Sequence, residues 1–89
     1  MAKRKDLKKN INYICSELFA ECVALNHYKI GVKQEDVDNV MMRILFMQNE
    51  FINRISHTQP GNAAAYYKKL QTDFNAQVED IVTIISQLN

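Results

Sequence analysis

The residues of this 89-residue chain that could do chemistry are two cysteines, two histidines, three arginines and ten carboxylates. Cys15 and Cys22 are seven positions apart. On one helix, at 1.5 Å rise per residue, their Cα atoms stand about 10.5 Å apart, beyond the roughly 7 Å that a disulfide spans. They read as free thiols that pack as small hydrophobes, which suits a reducing, cytoplasmic setting. No Cys-x-x-Cys or His-x-x-x-His spacing is present, so a zinc site is not expected. His27 and His57 close two successive helices and would lie at opposite ends of an antiparallel pair. Glu17 and Glu21 share a face, but no Glu-x-x-His accompanies them as a di-iron bundle requires. The thiols lie mid-helix, away from a helix N-terminus that would activate them. Arg4, Arg43 and Arg54 do not match the arginine grip of the small all-helical chorismate mutases. No cofactor, no metal and no catalytic residue is expected, and the chain reads as a non-enzyme.

The elements that would position these residues are helices. Hydrophobic residues are 47% of the chain and charged residues 24%, an ordinary globular balance. Two glycines and one proline are too few for the turns of an all-β fold. Leu7, Ile11, Ile14, Leu18, Cys22 and Leu25 recur in steps of three and four, which predicts a helix over about residues 4–29, with Gly31 just past its end. Val37, Val40, Met41, Ile44, Met47, Phe51 and Ile55 predict a second over 33–57. Glu35, Asp36 and Asp38 complement its positive end, and Gln34 is placed to reach back as half of a capping box. Thr58-Gln59-Pro60-Gly61 breaks the chain with a type II turn. Asn62 is placed as the N-cap of a third helix over 62–88, whose inner face carries Tyr67, Leu70, Phe74, Val78, Ile81, Ile85 and Leu88. Three such helices with short connections make a single all-α domain over 1–89, an antiparallel up-down-up bundle. An extended two-helix hairpin completed as a dimer is the alternative. No segment reads as a secretory signal or a membrane span.

The chain holds more large apolar residues than such a bundle encloses. Without Ala and Met1 there are 34, against roughly 21 core-facing positions at three per heptad. Met42 and Phe46 fall on the far side of the second helix, among Asn39, Asn49 and Asn53. Phe19 and Val23 widen the stripe of the first helix, and Val82 and Ile84 that of the third. These six are the candidate interface, and a two-fold homodimer is the expected partner arrangement. A monomer with a broad core is the competing reading. Gln48 and Gln77 stand within or beside the apolar arcs, either fixing register between helices or reaching solvent at their edges.

Charge is near balance, at +1 overall, so bulk charge predicts neither nucleic-acid nor membrane affinity. The folded topology polarises it. Residues 1–15 and 46–75 gather at one end with a net +5, and residues 16–45 and 76–89 at the other with −4. The basic end holds Lys3, Arg4, Lys5, Lys8 and Lys9, with His57, Asn62, Lys68 and Lys69 near the start of the third helix, where an anion could bind. In Tyr66-Tyr67-Lys68-Lys69, aromatics stand beside positive charge, but Tyr67 is in phase with the core, and the second helix is too long for a helix-turn-helix reader. Nucleic acid is therefore a disfavoured partner.

The stretch Lys8-Lys9-Asn10-Ile11-Asn12-Tyr13-Ile14-Cys15 and the Ser56-His57-Thr58-Gln59-Pro60-Gly61 turn resemble those of uncharacterised small all-α proteins of Bacteroidetes. The resemblance implies a cytoplasmic helical protein and carries no site residues with it. The expected role is a small non-catalytic protein–protein interaction or scaffold module acting as a homodimer. The alternative is a nucleic-acid- or anion-binding module that uses the basic end.

Overall fold

The computed structural model describes residues 3–28, 31–57, 61 and 63–88, with only the backbone described at Lys3 and Ala63. Three helices follow one another: α1 over Lys3–Tyr28, α2 over Gln34–Ser56 and α3 over Ala63–Leu88. They form the expected all-α three-helix bundle, 51 Å long and 18 by 15 Å across. The expected N-cap Asn62, the expected last residue of the first helix, Lys29, and residues 58–60 of the expected turn lie outside the described residues.

Cross-links fix the helix directions. Gln48 of α2 donates to Asn12 Oδ1 of α1 at 2.9 Å. Arg43 meets Asp80 at 3.6 Å and Arg54 meets Asp73 at 3.1 Å, so α2 and α3 run antiparallel. Arg4 Nε donates to the Tyr67 hydroxyl at 3.5 Å, which sets the first turns of α1 and α3 side by side and parallel.

Gly31 and Gly61 have φ of +92° and +95°, the left-handed region that glycine enters without strain. Each therefore reverses the chain where a side chain would resist. The capping box at α2 does not form. Lys33 is the cap residue, extended and without a side-chain bond. Its carbonyl accepts from the amides of Asp36 and Val37, while Gln34 donates to Asp38 Oδ1 at 2.8 Å. Facing Asp38 one turn on, the Gln34 amide has a charged acceptor within reach and does not turn back.

The core is narrower than the periodicity predicts. Fifteen apolar side chains are buried among the described residues, centred on Phe51, Phe74, Ile44 and Ile81. Phe51 and Phe74 meet edge to face, their ring centroids 5.3 Å apart. The reason for the shortfall is geometric. α2 packs along both neighbours, but α1 and α3 barely touch. Leu7, Ile14 and Val78, which line that parting, are consequently only half-buried. Tyr66, one residue before the inward-phased Tyr67, also packs on the core, and its hydroxyl donates to the Arg54 carbonyl at 2.9 Å. The two tyrosines straddle the stripe, one turned to α2 and the other to α1.

Candidate interaction surface

Seven large apolar side chains are exposed among the described residues. Three stand within one turn and a half of α2: Met42, Leu45 and Phe46, the last 68% exposed. The inward pull of Val37, Val40, Ile44, Met47, Phe51 and Ile55 sets the rotation of α2. At 100° per residue, that rotation leaves Met42 and Phe46 pointing directly away from the core. Leu45 borders the inner apolar arc of α2. It is 43% exposed, because α1 covers the arc only as far as Met41 and Gln48.

On the α1 side the patch is continued by Val23, which is exposed, and by Phe19, which is half-buried against the edge of the core. Both lie on the flank of α1 that carries Asn12, the residue bonded to Gln48. Met41 and Ile52, also half-buried, line the seam from the α2 side. Of the six expected interface residues, Phe19 and Val23 therefore lie on the seam flank of α1, and Met42 and Phe46 lie on the back of α2, Phe46 on the side nearer Arg43. Ile84 is half-buried against the core, and Val82 is exposed on the opposite side of the molecule, toward the parting between α3 and α1. Gln48 supplies the register bond at the seam, and Gln77 is half-buried. Signals that sequence phase alone missed are Leu45, Met41 and Ile52, each apolar and each assigned to the core or left unassigned.

The basic residues divide into two sets. Lys69 bonds Asp73 at 3.2 Å, and Asp73 also accepts from Arg54 at 3.1 Å. Arg54 is stacked over the Phe51 ring at 4.9 Å and reaches Glu50 at 3.8 Å. Hydrogen bonds from Arg54 and then Lys69 hold the Asp73 carboxyl below the usual carboxylate range. His57 is folded back on its own helix, Nδ1 donating to the Asn53 carbonyl at 2.8 Å. Lys69 and His57 thus serve the α2–α3 side of the bundle end. Lys68 stands on the other side, where a cleft of about 490 Å3 opens between α1 and α3, lined by Asp6, Leu7, Asn10, Tyr67 and Gln71 among others. Lys5 and Lys9 are exposed and Lys8 is half-buried. No ion pair joins any of these three to a described residue.

The thiols are sealed. Cys15 and Cys22 are fully buried in α1. Burial pushes the Cys15 thiol up to about 11, and burial followed by the Glu21 charge raises Cys22. Both are kept as the neutral, weakly nucleophilic thiol. Among the described residues, no group of three or more His, Cys, Asp or Glu is placed to hold a metal ion, and no helix is long and apolar enough to cross a membrane. Comparison with protein-family models, with curated proteins and with solved structures gives no match.

Proposed function

We propose that the protein is a small, non-catalytic interaction module of the cytoplasm that works as a homodimer through the outer face of α2 and its seam with α1. The observation that carries this reading is the outward cluster of Met42, Leu45 and Phe46, with Val23 and Phe19 beside it. A contiguous apolar patch on a small domain usually marks an interface. Fully burying a side chain such as Phe46 contributes about 1.5–3 kcal/mol, and a two-fold contact counts each side chain twice. The size is suitable as well. One 51 by 18 Å side projects about 900 Å2, near the roughly 800 Å2 per partner of a standard interface.

Sedimentation velocity across a hundredfold concentration range tests the proposal. The expected result is a species of twice 10.3 kDa, shifted to the monomer by Phe46→Asp with helical circular dichroism unchanged. A concentration-independent monomer of the native chain overturns it.

The cleft between α1 and α3 favours a second reading, anion or nucleic-acid binding at the basic end. Lys68, Asn10 and Gln71 line it, Arg4 reaches its Tyr67, and two helix N-termini converge there. Gel shifts at low and physiological salt test that reading, because phosphate binding weakens steeply with salt. No shift at low salt removes it.

A further inference from the structure

Resting on the homodimer just proposed, we infer that the two copies lie antiparallel, with Lys5 and Lys9 of each over Glu35 and Asp38 of the other. Two identical faces pack about a two-fold axis that lies within the interface, and when the two rods lie side by side that axis runs either along the bundle or across it. An axis along the bundle sets like ends together, the +5 end beside its copy and the −4 end beside its copy. An axis across the bundle sets each basic end beside an acidic one.

The face itself is graded in the same sense. Lys5 falls on the flank of α1 that carries Asn12, Phe19 and Val23, and so opens toward the α1–α2 seam, while Lys9 stands further round on the outer side of α1. Glu35 and Asp38 fall on the outer side of α2 one and two turns before Met42. The face therefore reads basic, apolar, acidic from one end to the other, with Leu45 at its middle. Lys5, Lys9, Glu35 and Asp38 are all exposed, and none has an ion pair among the described residues. A two-fold axis crossing near Leu45 returns the apolar middle to itself and superposes each basic end on an acidic one. It also sets the two α2 helices head to tail, the favourable order for their dipoles.

Within one chain these charges cannot meet. Asn12 is level with Gln48, so Lys9 is level with about residue 51, and Glu35 lies about 24 Å further along at 1.5 Å per residue. A zero-length carbodiimide link between Lys9 and Glu35 is therefore possible only between chains. The test treats the native protein with carbodiimide at low salt and maps the linked peptides by mass spectrometry. Alongside, dissociation constants are measured for K5E/K9E, for E35K/D38K and for the four substitutions in one chain. The expected results are links from Lys5 or Lys9 to Glu35 or Asp38, dissociation constants raised about tenfold in each double variant, and a return to within about threefold of native in the fourfold variant. Raising salt to 0.5 M should compress these differences. A native dimer without those links, unaffected by either double variant, overturns the antiparallel order and leaves the dimer standing. A native chain that stays monomeric at every concentration overturns both.

Discussion

Single side chains decide how much disturbance this small core tolerates. Phe51 and Phe74 fill the contact between α2 and α3 ring to ring, and truncating either removes contacts that nothing nearby can replace. Phe74→Ala should cost about 3–5 kcal/mol. A chain of this size holds only about 5–13 kcal/mol in total, so a chemical-denaturation curve should show a large share of the stability gone. The thiols give a second expectation. Cys15 has a pKa of about 11 in the folded chain and an ordinary one when unfolded, so the folded state prefers it protonated. Its contribution is complete below the unfolded pKa near 8.5 and declines as pH rises toward 11, by about 1.4 kcal/mol per unit. At pH 8 a thiol reagent should modify Cys15 and Cys22 only as fast as α1 opens. Immediate stoichiometric labelling of the native protein would contradict this.

At the level of the helix, the strut of Arg54, Asp73 and Lys69 ties α2 to α3 and the glycines reverse the chain between elements. The Asp73 carboxyl is held low by its two cationic partners, so its stabilising effect is present above the unfolded value near 4 and is lost as pH falls through the folded one. Asp73→Asn should flatten the acid limb of the stability curve measured by urea melts between pH 2 and 5. Gly31→Ala places a Cβ at φ +92°. No neighbouring atom crowds it, so the penalty is backbone strain alone, about 1–2 kcal/mol in a thermal or urea melt. Sequence phase was sufficient for the inner faces of all three helices, because steps of three and four name a stripe whatever covers it. It also placed Met42 and Phe46 opposite the core. It could not say how far a neighbouring helix reaches round that stripe, which is why the exposure of Leu45 and the packing of Tyr66 on the core emerge only from the fold. Nor could it weigh the local competition that gives Gln34 to Asp38. The charge grading of the α1–α2 face needed the rotation of α1, which the Asn12–Gln48 bond supplies.

For the molecule as a whole, the apolar middle and charged ends of one face make association a balance of two forces. Phe46→Asp should abolish it at any ionic strength, whereas added salt should only weaken it. The uneven packing of the bundle has a further consequence. Each outer helix leans on α2 and hardly on the other, so the chain amounts to two helical hairpins that share their middle rod. Either outer rod can peel away while the remaining pair stays closed, and hydrogen exchange should find the slowest amides in the centre of α2, with α1 and α3 exchanging through separate, cheaper openings.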